Sequence, residues 1–185
     1  DYGNLILETN GSSAKSYSYD LNNRLIEAVE EGQTLKFTYD GSGNRLTKSI
    51  GSTIVQYVND TTIENEQVLS YKVGSDVTNL SYGLTRLNED AIGYLSDSYG
   101  NIVQHGSETY AYTPYGELIG VTITGVNEAG YKGEVHDSSS LQYLRARTYH
   151  TKLKQFLSED MVVGKDTHPL SQNRYAFVLN NPFKY

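Results

Sequence analysis

Asp20, Asp40 and Asp97 share one spacing: Asn23, Gly43 and Gly100 follow them at the third position, and Thr113 stands in the same relation to Gly116. A carboxylate so placed can accept backbone N–H groups two residues on and close an Asx-turn, while Gly or Asn supplies the positive φ of a tight turn. This chemistry is structural. Other reactive types are scattered. His105, His136, His150 and His168 lack metal-ligand spacing. Ser138, Ser139 and Ser140 read as a polar loop with no paired base to activate a nucleophile. No glycine run has the phosphate-cradling form GxxxxGK followed by Ser or Thr. Arg145 and Arg147 would share one strand face, suited to pairing with turn aspartates or, less simply, to an anion. Rows of tyrosine could stack on sugar rings, although alternating Tyr more often lines a core with its hydroxyls at a wet rim. No cofactor and no metal are expected.

The elements that carry these residues repeat. "YDLNNRL" begins at Tyr19 and "YDGSGNRL" at Tyr39. Counted from the Asp position, Leu25, Ile102 and Leu118 stand at the fifth place; the Asp40 copy reads as one residue longer, with Leu46 in the equivalent role. The opening "DYGNLI" fits the same frame through Gly3 and Leu5. Upstream of each turn, apolar and polar residues alternate: Tyr17 and Tyr19 against Ser16 and Ser18, Leu35, Phe37 and Tyr39 against Lys36 and Thr38, Tyr110 and Tyr112 against Thr109 and Ala111. Period-two alternation predicts half-buried strands. Each unit of about 20 residues is thus a strand, a turn and a return strand, the mark of a repeat architecture.

Plain repeats fill 1–57 and return at 94–123. The stretch 58–93 is less regular, with strands expected at 67–73 and 78–87. The text changes from Tyr131, and the expected division is a repeat region at 1–123 and a distinct segment at 124–185. Within the latter, a strand is expected over 141–149, a turn at 150–154, a short strand at 155–158, and a helix over 170–178 opened by Pro169 and ended by Asn180-Asn181-Pro182. The fold class is all-β and mainly antiparallel: a repeat strip or shell segment with a small core region and little helix.

Composition fits. The chain holds 17 Tyr, 4 Phe and no Trp, and its hydrophobic content is 37%, so a thin core under a half-wet sheet is expected. A net charge of −7 argues against nucleic acid and anionic membranes as partners. No run approaches the roughly 18 apolar residues of a membrane span. Without cysteine there is no disulfide framework and no thiolate metal site. The chain begins inside a repeat and without Met, so it reads as a piece of something longer.

The repeats resemble YD repeats, and residues 131–185 look like the core segment that closes the repeat region of Rhs and YD-repeat proteins. The likeness rests on Tyr131, Gly133, Asp137, Leu141, Tyr143, Arg145, Ala146, Arg147 and Tyr149, on "FLSED" with Phe156 and Asp160, and on "NNPFKY" with Asn180, Asn181, Pro182 and Tyr185. It implies a hollow β-sheet cocoon around a C-terminal toxic polypeptide, with the core as plug, in secreted or cell-surface bacterial proteins. Partners would be the toxin cargo or the rest of the shell, with self-association through free sheet edges. It also implies self-cleavage by two aspartates that share a proton. The first falls on Asp160. Here Met161 replaces the family's Pro, the motif's Gly arrives late at Gly164, and His150, Thr151 and Lys154 replace an earlier Asp-Pro and Gly. The second aspartate would lie beyond Tyr185, so half of a catalytic pair is expected and the chain reads as no enzyme by itself. Glu159 neighbours Asp160 but would point to the opposite strand face, and Asp166 could approach only across a loop, so Asp160 reads in this chain as a turn-capping carboxylate. A glycan-binding surface domain is the alternative to the shell.

Overall fold

The computed structural model describes residues 3–30, 32–63, 67–121, 126, 128–138 and 140–184. Twelve strands form one sheet in chain order, each antiparallel to its neighbours. They are β1 (Leu7–Asn10), β2 (Ser13–Tyr19), β3 (Leu25–Glu30), β4 (Gln33–Tyr39), β5 (Arg45–Ile50), β6 (Thr53–Asp60), β7 (Gln67–Val73), β8 (Asp76–Tyr82), β9 (Arg86–Glu89), β10 (Ile92–Ser96), β11 (Ile102–His105) and β12 (Glu108–Thr109). A second, four-stranded sheet comprises β13 (Val135–His136), β14 (Leu141–Leu144), β15 (Arg147–His150) and β16 (Gln155–Phe156). The all-β, mainly antiparallel expectation is met: the described residues add only short 3-10 turns at Tyr131–Gly133, Pro169–Gln172 and Val178–Asn180.

The repeat turns are uniform. Asp20 Oδ1 accepts the Asn22 and Arg24 amides, Asp40 Oδ1 those of Ser42 and Asn44, and Asp97 Oδ1 those of Tyr99 and Asn101. The third residue takes a left-handed φ: 60° at Asn23, 98° at Gly43, 81° at Gly100 and 83° at Gly116. Beyond each turn the register shifts by one residue, a β-bulge that pairs Tyr19 with Leu25, Tyr39 with Arg45, Tyr82 with Arg86 and Ser96 with Ile102. This corrects the sequence alignment. The Asp40 turn is no longer than the others, and Arg45, not Leu46, takes the buried slot; Arg45 is 3% exposed and Leu46 42%.

Three tyrosines at the turns share one task. Tyr19, Tyr39 and Tyr82 donate their hydroxyls to the carbonyls of Leu5, Leu25 and Val68, each 14 residues upstream. Leu25 lies past the last ladder pair of β3 and β4, Glu27 with Lys36, so its carbonyl has no strand partner on that side. The hydroxyl supplies one. A buried carbonyl left unmet would cost about 1–3 kcal/mol. In the irregular stretch Asn59 performs the same task, donating to Arg45 O at the same separation of 14. Asp60 follows and accepts the Thr62 amide. The unit therefore persists there with Asn for Tyr. Strands appear at Gln67–Val73, as expected, while the expected 78–87 divides into β8 and β9 around Gly83.

Two expectations for the last third are overturned. Residues 141–149 do not form one strand: β14 and β15 are a hairpin whose corner holds Arg145 at φ 54°. No helix spans 170–178, because Tyr175 and Ala176 instead run beside β16, with the Phe156 amide bonded to Tyr175 O.

The core sits between the sheets. Tyr17, Leu25, Ala28, Leu35 and Phe37 of the repeat sheet pack with Leu141 and Leu157. Tyr131, Tyr149, Phe156 and Phe177 form a second aromatic group. The core segment reaches both flanks of the large sheet: Leu5 donates to Leu157 O, Tyr175 to Gly3 O, Tyr149 to Tyr115 O and Tyr115 to Asn180 O.

Candidate functional site

The face of the repeat sheet beneath the core segment carries charge where an apolar lining would be the default. Lys15, Glu30, Arg45 and Lys48 are all buried there. Strand alternation aims them inward beside Tyr17, Leu35 and Phe37. Isolated buried ions are prohibitively costly, so each must meet a partner. The partners come from the core segment. Asp137 Oδ1 and Oδ2 accept Arg45 Nη1 and Nη2 at 2.7 and 2.8 Å, a bidentate pair. Lys48 Nζ lies 3.3 Å from Asp137 Oδ1. The Arg45 guanidinium is held between the rings of Phe37 and Tyr143, 4.3 and 3.7 Å from their centroids. Burial pushes the Asp137 carboxyl up, but Arg45 and Lys48 outweigh it and hold it below the ordinary carboxylate range. Burial also pulls the Lys48 ammonium down, opposed by Asp137.

A second cluster lies toward the first strands. Glu30 accepts Tyr17 Oη at 2.8 Å, Ser138 Oγ at 2.6 Å and Ser140 Oγ at 3.0 Å, with Lys15 Nζ at 3.4 Å. Ser138 and Ser140 are thereby committed to docking. Burial raises the Glu30 carboxyl, yet the Ser138 and Tyr17 hydrogen bonds and Lys15 bring it below its usual value. Burial, with the charge and hydrogen bond of Glu30, pushes the Tyr17 hydroxyl far up. None of Lys15, Glu30, Arg45 or Lys48 stood out in the sequence. The one signal was the break in alternation, an Arg in the slot that Leu25 fills one repeat earlier.

Asp160 sits at the far end of the core segment. Its Oδ2 is 2.7 Å from Arg147 Nη2 and its Oδ1 accepts the Val162 amide at 2.8 Å. Its carbonyl accepts Arg174 Nε, and its amide donates to Arg174 O. Arg147 lies over the Phe156 ring at 3.6 Å and also donates to Arg174 O. Glu159 pairs with Arg174 and Asp166 Oδ1 accepts Gln172 Nε2. Among the described residues no carboxylate hydrogen-bonds that of Asp160. A cleft of about 630 Å³ beside Asp160 is lined by Val162, Val163, Leu170 and Leu179. Arg145, off the strand face, pairs with Glu134 at 2.6 Å. Tyr149 is fully buried, Pro182 is buried, and Asn180 and Asn181 are exposed. Lys154 adopts φ 61°, left-handed backbone at the place of the family's Gly. Tyr185 and Ser139 lie outside the described residues.

Few tyrosines offer a free ring. Tyr99 is 59% exposed, while Tyr17, Tyr57, Tyr71, Tyr110, Tyr131, Tyr143 and Tyr149 are buried. No group of three or more His, Cys, Asp or Glu suited to a metal occurs among the described residues.

The architecture is thus a twelve-stranded repeat sheet with a four-stranded segment seated on it by buried charge. No family model matches the chain. It is 27% identical over 189 residues to the tRNA3(Ser)-specific nuclease WapA of Bacillus spizizenii and 28% identical over 189 residues to the tRNA nuclease WapA of Bacillus subtilis, in each case over 90% of this chain and 8% of the relative. Its fold is shared with part of the Photorhabdus luminescens Tc holotoxin pore, with TM-score 0.61 and 15% identity over 96% of this chain and 10% of that one. It is shared likewise with part of the TcdB2-TccC3-Cdc42 crystal structure, with TM-score 0.58 and 16% identity over 91% and 10%. The chain thus spans about a tenth or less of the length of these proteins.

Proposed function

We propose that this chain is a structural encapsulation module, the terminal part of an Rhs-type β-shell that encloses or presents a C-terminal toxic polypeptide. Residues 1–123 would be wall and 124–185 the core that closes it. The observation that carries this reading is the Asp137–Arg45–Lys48 clamp. It spends buried charge on fixing one segment of chain against the inner face of the repeat sheet, the face a cargo would meet. The Tyr hydroxyls support the same reading, since they serve backbone carbonyls rather than a ligand. The tRNA nuclease activity in the names of the WapA relatives would then reside in a cargo. Such a module would act outside the cell or at the bacterial surface, within a longer chain. No helix among the described residues is long and apolar enough to cross a membrane.

The test is protease protection in the longer natural protein. A carried polypeptide should resist digestion, and Asp137→Ala, which leaves Arg45 and Lys48 buried without their carboxylate, should expose it. The clamp variant should also lose about 3–5 kcal/mol of stability. Digestion of the cargo at the same rate in both proteins would overturn the reading. Saturable binding of a bacterial polysaccharide that Tyr99→Ala abolishes would favour a surface glycan receptor instead.

A further inference from the structure

Two histidines of the core segment are buried in its seat on the repeat sheet, and the clamp uses neither. His150 closes β15 and His136 closes β13; both are 0% exposed. Each spends one ring nitrogen as an acceptor. His150 Nδ1 accepts the Leu153 amide at 3.1 Å, and His136 Nε2 accepts the Tyr131 amide at 3.3 Å. These bonds fix the tautomers. His150 carries its proton on Nε2, 3.2 Å from Glu8 Oε2 of β1. His136 carries its proton on Nδ1, a buried atom with no hydrogen-bond partner among the described residues.

We propose that His136 and His150 form an acid-sensitive latch that releases the core segment from the repeat sheet. A second proton on either ring sets an N–H against a backbone N–H, donor against donor, inside a packed interface. At His136 the new cation would join Arg45 and Lys48 beside Asp137, with Tyr112 stacked on the ring and buried Glu128, whose carbonyl accepts the His136 amide and whose charge also acts on Lys48, as the second acid nearby. At His150 the facing groups are Glu8 on β1, Glu30 on β3, Lys15 on β2 and Lys152 in the following turn. Glu8 and Glu30 favour the charged ring, but burial outweighs them and His150 stays below the usual imidazole range. Burial, opposed by Asp137 and helped by Lys48, pushes His136 down to about 4.

The sign follows. A histidine whose value is lowered in the docked state stabilises docking at neutral pH. That contribution falls as pH drops below the free imidazole value near 6.5 and is gone below the docked value. For His136 alone, the ratio of released to docked core should rise about 30-fold by pH 5. The latch needs only the contact between core and sheet, so it does not depend on what the shell carries.

The experiment uses the whole chain. Protease accessibility of residues 129–160 is followed from pH 7.5 to 4.5, and the ring nitrogens of all four histidines are titrated by NMR. The expected result is a core that becomes cleavable between pH 6 and 4.5, in step with protonation of His136 and His150. The double variant His136→Gln, His150→Gln should stay closed over that range. A core that remains protected at pH 4.5 overturns the proposal. So does release while both rings are still neutral, which would assign the loss to Glu30 and Asp137. The ring titration decides the matter even if the double variant does not fold.

Discussion

At the scale of single residues, the tyrosines before the turn aspartates Asp20 and Asp40 serve through their hydroxyls as much as through their rings. Tyr39 Oη donates to Leu25 O at 2.7 Å, a carbonyl that the β-ladder leaves open. Tyr39→Phe keeps the packing and removes the donor, so it should cost about 1–3 kcal/mol in a urea titration. Tyr99→Phe, at a 59% exposed position, should fall within about 0.5 kcal/mol of the parent. Asp160 invites a different expectation. An aspartic mechanism needs two carboxylates that divide the roles of base and acid. Arg147 and the Val162 amide occupy the two oxygens of Asp160, and the neighbouring acids serve Arg174 and Gln172. The chain should therefore keep its full mass through long incubation between pH 4 and 8. A cut that Asp160→Asn blocks would reveal a second acid that these contacts do not show.

At the scale of elements, the repeat explains what could be read in advance and what could not. Strands, turns and their order follow from local pattern, because a half-buried strand and an Asx-turn each advertise themselves within a few residues. Positive φ at the third turn residue makes the same point energetically. Gly43 stands at 98°, so Gly43→Ala should destabilise by about 1 kcal/mol or more. Asn23→Gly, at 60°, relieves no strain, since Asn already tolerates that region, and should cost only about 0.5–1.5 kcal/mol for the bond that Asn23 Oδ1 accepts from Asn4 Nδ2. Paired melts of the two variants check this. What escaped local reading depends on distant partners. Hydrophobic pattern put Leu46 in the buried slot; Arg45 takes it because Asp137 waits 92 residues away. Period-two alternation ran unbroken through Arg145 and Ala146 and hid the hairpin corner, where neither Gly nor Asn marks the left-handed residue. Asn59 concealed a repeat by replacing Tyr with another donor. The helix expected after Pro169 gave way to pairing beside β16, tertiary contact overriding propensity.

At the scale of the molecule, the decisive contrast is between the buried charged face of the large sheet and its open edge. The core segment meets Lys15, Glu30, Arg45 and Lys48 with Asp137, Ser138 and Ser140, and bonds to both flanks of the sheet. The outer edge of β1 is not covered along its length. Leu5 bonds to Leu157, but from Leu7 to Asn10 the only strand beside β1 among the described residues is β2. The Tyr17 amide donates to Ile6 O, so Ile6, Glu8 and Asn10 turn their backbone groups toward β2, while Leu7 and Thr9 turn theirs outward. Ile6 and Leu7 are 67% and 55% exposed. Such an edge is a template for another strand. The isolated chain should therefore self-associate as its concentration rises, through antiparallel pairing of β1 with β1 in a second copy. Thr9→Pro removes one outward N–H without breaking a bond to β2, and should shift light scattering toward the monomer with little loss of stability. A parent chain that is strictly monomeric at high concentration would show that the exposed edge is too short and too twisted to pair. A Thr9→Pro variant that associates as strongly as the parent would place the contact elsewhere, with the exposed Val162, Val163 and Leu170 of the core segment as the next surface to alter.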